Sequence, residues 1–159
     1  MVTEVRQGVK HGMALETVSS EHGIAPVITH EITMYLSALG TDEERIADLT
    51  DASAQAMLGL YESQVPFHPY SVREATRGVI HGLVCAGMDV SYVTRPAVKG
   101  IREALFATDS LNKETERAMF AGVQDALHDL GLEHEEDDSA LELPEFYANE
   151  MMEFGRPLM

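Results

Sequence analysis

Two histidines lie in matching sequence contexts and are the residues with the clearest potential for chemistry. His11 lies within Gly8-Val9-Lys10-His11-Gly12, and His81 lies within Gly78-Val79-Ile80-His81-Gly82. Imidazole is the commonest metal ligand in proteins. If the two segments meet in the fold, His11 and His81 could form a paired ligand set for a metal or for a haem iron. The alternative is structural: each imidazole flanks a helix crossing and hydrogen-bonds to the backbone.

Side chains that follow the second histidine extend the candidate ligand set. Cys85 and Asp89 lie four and eight residues after His81, which would place imidazole, thiol and carboxylate on one face of a helix. First-row transition metals accept such mixed ligands. The first segment has Leu15 at the position of Cys85, so the set is not duplicated. A cysteine buried as a small hydrophobic residue is therefore the alternative interpretation.

His30 and Glu31 form a third candidate, at the beginning of a predicted helix. An imidazole and a carboxylate in one pocket could supply acid–base catalysis, although the sequence indicates no substrate. The chain contains no nucleophile elbow, phosphate-binding loop, dinucleotide-binding glycine pattern or zinc-finger spacing. The sequence therefore leaves open whether the protein is an enzyme.

The two histidine segments belong to a longer internal similarity. Glu44-Arg45 and the later Leu58-Gly59-Leu60 recur, with the same internal spacing, as Glu116-Arg117 and Leu130-Gly131-Leu132. The two recurrences are offset by 70 and 72 residues, which indicates that a unit of about seventy residues has been duplicated. The duplication predicts two similar halves related by a pseudo-two-fold axis.

Hydrophobic residues recur with helical period through most of the chain, and no useful stretch alternates with the period of a strand. We therefore predict an all-α fold with three helices in each half and a short C-terminal helix. The predicted division is repeat 1 at about 3–63, a linker at 64–70, repeat 2 at about 71–132, and an acidic tail with a docking segment at 133–159. Because three short helices bury little apolar surface alone, the halves should share one core and make residues 1–159 a single domain.

Local signals indicate where several of these helices begin. Thr41 with Glu44, and Ser71 with Glu74, match the capping box that opens a helix. Val93-Thr94-Arg95-Pro96 predicts the beginning of the fifth helix, because proline is favoured in a first turn.

Each half also carries two glycines on one helix face, Gly8 with Gly12 and Gly78 with Gly82. A glycine inside a helix costs about 1 kcal/mol relative to alanine, so a close approach of another backbone should offset that cost. We expect the first and fourth helices to cross near these glycines, at the pseudo-two-fold axis. A flat wall for a ligand is the alternative use.

The charge of the chain restricts the classes of partner. The formal net charge is −16, from 27 acidic and 11 basic residues. Binding of phosphates needs clustered lysine and arginine, so nucleic acid and anionic membrane surfaces are excluded as expected partners. The sequence contains no apolar run long enough to span a membrane. We also expect no signal peptide, because the beginning carries Glu4 and no long apolar run. Cys85 is the only cysteine, which excludes an internal disulfide. A cytoplasmic protein is expected.

The C-terminal part of the sequence differs in character. Residues 133–138 form an acidic run, and residues 143–154 are rich in methionine and aromatic residues. We expect the second segment to dock on an apolar surface, either of its own core or of a partner or second copy in a homo-oligomer. The leading functional hypothesis is a non-catalytic interaction or assembly module. A metal- or cofactor-binding protein with ligands at the pseudo-two-fold axis is the first alternative, and an enzyme with an acid/histidine pocket is the second.

Overall fold

A computed structural model describes residues 3–15 and 23–131 of the chain. These residues form six α-helices and no strand, which confirms the all-α prediction. The helices are α1 (Thr3–Leu15), α2 (Ile24–Ala38), α3 (Asp42–Glu62), α4 (Pro69–Cys85), α5 (Val90–Ala107) and α6 (Lys113–Asp129). The predicted C-terminal helix and the docking segment lie outside the described residues.

The capping chemistry of α3 is the one that the sequence predicts. The Thr41 hydroxyl accepts a hydrogen bond from the Glu44 amide at 3.1 Å, and the Glu44 carboxylate accepts one from the Thr41 amide at 3.1 Å. Each side chain thereby satisfies an amide that has no partner inside the helix. The predicted beginning of α3 is confirmed.

Two other helices begin earlier than predicted, because different residues cap them. His68 is the N-cap of α4, with Ser71 as its capping-box partner, so α4 begins at Pro69 within the predicted linker. Asp89 caps α5 by accepting from the Ser91 amide at 3.0 Å, so α5 begins at Val90 and contains Pro96 in its interior. A histidine cap and a proline beyond the first turn are uncommon signals, which is why the sequence patterns misplaced both boundaries.

The six helices form two layers. In one layer α1 packs along α3 and α3 along α5, and in the other α2 packs along α4 and α4 along α6. Consecutive helices contact each other between the layers. Buried aliphatic residues from all six helices form one continuous core.

The same close contact recurs at each step within a layer. A glycine of the later helix faces a backbone carbonyl of the earlier helix, where a side chain would not fit. The four pairs are Gly59 on Arg6, Gly78 on Ala25, Gly100 on Thr50 and Gly122 on Arg73. Missing β-carbons let the backbones approach closely, as at small-residue helix crossings elsewhere. Each helix from α3 to α6 therefore packs closely, through one of its glycines, on the helix two places earlier in the chain.

The predicted pair of three-helix halves about a pseudo-two-fold axis stays a prediction. A closed two-fold arrangement would bring α5 alongside α1 in the way that α2 lies alongside α4. Within the described residues, α1 instead packs along α3 and α2. The packing that recurs in the structure is thus that of each helix against the helix two places earlier in the chain.

Candidate functional site: an acidic groove between α1 and α2

The site with the most distinct chemistry is a groove of about 340 Å³ between α1 and α2. Its walls combine apolar side chains with two carboxylates. The lining residues are Glu4, Val5, Glu31, Met34, Tyr35, Ala38 and Leu39. Glu31 is the only one of them that the sequence analysis had singled out.

Glycines of α1 shape the groove by making room for side chains of α2. The Glu31 carboxylate lies over Gly8, in space that a β-carbon there would fill. One turn further, a β-carbon at Gly12 would lie 2.7 Å from a methyl group of Val27. The two glycines therefore let α2 pack against the backbone of α1 and fix where Glu31 sits.

Tyr35 forms the floor of the groove and is held by α3. Its ring is 8% exposed, and its hydroxyl donates a hydrogen bond to Asp48 Oδ2 at 2.7 Å. Burial, and secondarily the hydrogen bond to Asp48, raises the pKa of Tyr35 well above its ordinary value. The phenol is therefore neutral at all physiological pH values and acts as a fixed hydrogen-bond donor.

The groove is negative and contains no basic residue in its lining. Glu4 and Glu31 contribute carboxylates directly. The charges of Asp48 and Asp51 on α3 lie close enough to help raise the Tyr35 pKa. Met34 exposes 57% of its surface and adds an apolar contact. An arrangement of this kind favours a cation on an apolar stem and disfavours an anion.

The other two predicted glycines lie on the opposite side of α2. A β-carbon at Gly82 would lie 2.7 Å from the β-carbon of Ile32, and Gly78 faces Ala25. Thr29 and Thr33 of α2 donate hydrogen bonds to the carbonyls of Gly78 and Gly82 at 3.0 and 3.2 Å.

Helix α2 is thus packed against the glycine faces of both α1 and α4. At their glycines, α1 and α4 each face α2. The expected direct crossing of α1 with α4 is absent from these positions.

The structure gives the two candidate histidines different surroundings. His11 is exposed on α1. His81 lies on α4 with its Nε2 3.0 Å from Asp129 Oδ2 on α6. In residues 3–15 and 23–131, no group of three or more histidine, cysteine, aspartate or glutamate side chains is arranged to hold a metal ion. His11 and His81 therefore belong to no three-residue ligand group in this part of the chain.

The helix face predicted to combine His81, Cys85 and Asp89 does not form. Helix α4 ends at Cys85, and the chain then turns through Gly87, whose φ is +88°. Asp89 instead caps α5 by binding Ser91. The Cys85 thiol is free and exposed, so the alternative of a buried cysteine is also wrong.

His30 and Glu31 occupy neighbouring but distinct positions on α2. Glu31 lines the groove, whereas His30 is exposed to solvent. Adjacent helix positions are rotated by about 100°, so the two side chains do not converge. Glu31 is thus associated with Gly8 and Tyr35 and not with the histidine beside it.

A row of ion pairs between α4 and α6 was missed by the sequence analysis. Arg73 binds both carboxylate oxygens of Asp125, at 2.5 and 2.9 Å, and Arg77 binds Asp129 at 2.5 Å. Burial, the largest influence, raises the pKa of Asp129, but hydrogen bonds from Arg77 and His81 outweigh it and lower that pKa overall. The sequence does contain a signal for these ion pairs, because Arg73 and Arg77 are four residues apart, as are Asp125 and Asp129, so each pair lies on one helix face.

A buried ion pair between α5 and α6 was also missed. Arg102 and Glu116 are 2% and 1% exposed and contact each other directly. The Arg102 guanidinium also lies 5.9 Å from the centre of the Phe120 ring. The position of Arg102 among the apolar residues Ile101, Ala104 and Leu105 could have indicated its burial.

Comparisons with models of known protein families, with curated proteins and with solved structures found no match to this chain. Among the described residues, no helix is both long enough and apolar enough to cross a membrane.

Proposed function

We propose that this protein is a non-catalytic protein-interaction module whose groove between α1 and α2 binds a basic, amphipathic segment of a partner. The observation that carries the proposal is the groove itself, with apolar walls from Val5, Met34 and Leu39 and carboxylates from Glu4 and Glu31. A helix or extended segment with arginine or lysine beside leucine-like residues matches both features.

The architecture supports the same proposal. Stacked helices expose long continuous surfaces, and repeat proteins built this way use such surfaces for binding. The net charge of −16 supports a basic protein partner over nucleic acid or an anionic membrane. A cytoplasmic location and an origin by duplication of a three-helix unit belong to the same proposal.

The C-terminal segment enters the proposal as a docking segment. Residues 143–154 combine methionine and aromatic side chains, which suits contact with an apolar surface. Its target is the core of its own chain, a second copy in a homo-oligomer, or a partner. Loss of an oligomer or of partner binding on deletion of residues 139–159 would support the second and third targets.

A titration with a defined basic peptide tests the groove. The probe is a twelve-residue peptide of alternating leucine and arginine pairs, added to full-length protein labelled at the methionine methyl groups. We expect the Met34 signal, assigned with Met34→Leu, to shift saturably and the shift to weaken with added salt. The same peptide with glutamate in place of arginine should cause no shift.

Substitution of a groove carboxylate supplies the matched comparison. Glu31→Gln should weaken peptide binding about fivefold or more, because one carboxylate contact with a cation is lost. Glu103→Gln, on the exposed face of α5, removes an equal charge outside the groove and should leave binding within a factor of two. Equal effects of the two substitutions would show that only net charge matters and would refute the groove.

Metal or haem binding by His11 and His81 stays a separate prediction. Elemental analysis and an absorption spectrum of untagged protein test it directly. One metal or chromophore per chain, lost when both histidines are substituted, would replace the interaction proposal with the cofactor alternative.

A further inference from the structure

Helix α5 exposes a narrow stripe along its whole length. Residues at spacings of three, four, four and three lie on one helix face: they are Tyr92, Arg95, Lys99, Glu103 and Phe106. The rings at the two ends, Tyr92 and Phe106, are 75% and 76% exposed. They are the two most exposed large apolar side chains in the described part of the chain, so both are accessible to another segment.

The stripe is also a basic surface on an acidic protein. Three charged residues lie between the two aromatic rings: first Arg95 and Lys99, then Glu103 nearest to Phe106. The stripe thus carries two basic residues and one acidic residue, in a chain of net charge −16. A segment that is both acidic and apolar would therefore complement the stripe.

Residues 132–159 have that composition. They hold nine of the 27 acidic residues of the chain and one of its 11 basic residues. The acids are concentrated at 133–138, and the apolar residues are concentrated at 143–154. The acidic part comes first in the sequence, so it lies nearest to the end of α6.

The end of α6, from which this segment continues, lies close to one end of the stripe. Helix α6 packs along α4, and Asp129 at the end of α6 lies 3.0 Å from His81 near the end of α4. Helix α4 ends at Cys85 and α5 begins at Val90 after a short turn, so the end of α6 lies close to the beginning of α5. The chain leaves α6 near the Tyr92 end of the stripe.

The lengths match as well. The stripe from Tyr92 to Phe106 spans about 21 Å at 1.5 Å per residue. An extended segment of the length of 132–138 spans about 23 Å at 3.3 Å per residue. The acidic run can thus pass over Arg95 and Lys99 and place residues 143–154 at the Phe106 end.

We propose that residues 132–159 fold back onto the exposed stripe of α5 in the same chain. The acidic run binds beside Arg95 and Lys99, and the apolar segment covers Phe106. Attachment to α6 holds the segment at a high effective concentration, which favours its own chain over a second copy. This proposal specifies the target of the docking segment and is independent of the groove between α1 and α2, so the two tests fail separately.

Zero-length carbodiimide cross-linking of the full chain tests the proposal, because the chain has three lysines, Lys10, Lys99 and Lys113. Lys10 lies 3.3 Å from Glu62 and supplies an internal positive control. We expect mass spectrometry to find Lys99 joined to an acid of 133–138, while exposed Lys113 is not joined to that run.

Each other outcome of the cross-linking overturns the proposal. A Lys10–Glu62 product without a Lys99 product would show that the acidic run does not reach the stripe. Equal joining of Lys99 and Lys113 would show contact without a defined site. Joining only between chains of different isotopic mass, in a mixture of labelled and unlabelled protein, would assign the stripe to a second copy.

Limited proteolysis measures the same contact without chemical modification. Phe146 and Tyr147 are chymotrypsin sites within the proposed docked segment. Lys99→Glu should speed cleavage there about fivefold, since cleavage follows the population of the open form. Lys113→Glu, an equal change of charge, should alter the rate less than twofold. Unchanged cleavage in Lys99→Glu overturns the proposal.

An aromatic substitution provides the corresponding test of the apolar contact. Phe106→Ala should also speed cleavage at Phe146 and Tyr147, and its 76% exposure means that the fold tolerates the change. Ile46→Ala, at another site with an exposed apolar side chain, should have no effect. Equal rates in both variants would refute contact with the Phe106 end.

Discussion

The close contact between α4 and α6 predicts that Gly122→Ala destabilises the protein. A β-carbon at Gly122 would lie 2.5 Å from the carbonyl oxygen of Arg73 and 2.9 Å from the β-carbon of Thr76. Carbon atoms prefer separations of about 3.5 Å or more, so α6 would have to move away from α4 by about 1 Å. The obstructing oxygen belongs to the backbone of α4 and cannot rotate away.

The size of the effect follows from two opposing contributions. Overpacking of a closely packed core costs about 1–3 kcal/mol, and a rigid backbone contact belongs at the upper end of that range. Alanine gains about 1 kcal/mol over glycine in helix propensity. We therefore expect a net loss of about 1–2 kcal/mol in the free energy of unfolding, measured by urea denaturation of the full chain and followed by circular dichroism.

Gly8→Ala supplies a control with the opposite expected sign. The atoms that a β-carbon at Gly8 would meet belong to the Glu31 carboxylate, which can rotate toward solvent. The propensity gain should then dominate and leave stability unchanged or higher by up to about 1 kcal/mol. If Gly122→Ala were as stable as Gly8→Ala, the close approach of α4 and α6 would be refuted.

Three titratable groups give further predictions. The Tyr35 phenol ionises near pH 10 in the unfolded chain but stays neutral there in the folded protein, because its pKa is raised. The free energy of unfolding should therefore fall as the pH rises above about 10. Tyr35→Phe should flatten that decline in urea titrations from pH 9 to 11. The lowered pKa of Asp129 contributes stability that is present above about pH 4 and lost as the pH falls through the folded pKa, so Asp129→Asn should reduce the acid dependence between pH 5 and 2.5. Glu116→Gln should cost about 3–5 kcal/mol by removing the carboxylate from buried Arg102, and Arg102→Met with Glu116→Leu should recover most of it in the same urea assay.

The helices were predictable because their determinants are local. Hydrophobic period indicates a helix within about four turns of sequence, and the capping box at Thr41 and Glu44 reads directly as a helix beginning. A helix boundary was harder to predict where two nearby residues could each mark the beginning of the same helix. Pro96 suggested a first turn, but the Asp89 cap lies seven residues earlier and begins α5 there.

The partners of each helix could not be predicted, because a glycine pair shows that something approaches closely and does not show what. The repetition of Gly8 and Gly12 as Gly78 and Gly82 suggested that the two copies meet each other. In the structure both copies meet α2, which presents Glu31 and Val27 to one and Ala25 and Ile32 to the other. A shared partner satisfies the same local requirement, so identical motifs need not lie in contact.

The two-layer stack explains why both proposed binding surfaces lie toward its ends. Among the helices that the structure describes, α3 and α4 each have a neighbour on both sides within their layers, whereas α1, α2, α5 and α6 have a neighbour on only one. A stack that adds one helix at a time leaves apolar surface at each end, and such ends must be covered or used for binding. The groove of Glu4 and Glu31 forms at the first end, and the stripe from Tyr92 to Phe106 runs along a helix of the last. The two surfaces have opposite charges. The acidic C-terminal residues complement the stripe and would be repelled by the acidic groove, so the two proposals are compatible: the stripe would bind the C-terminal residues, and the groove would stay accessible to the proposed basic partner.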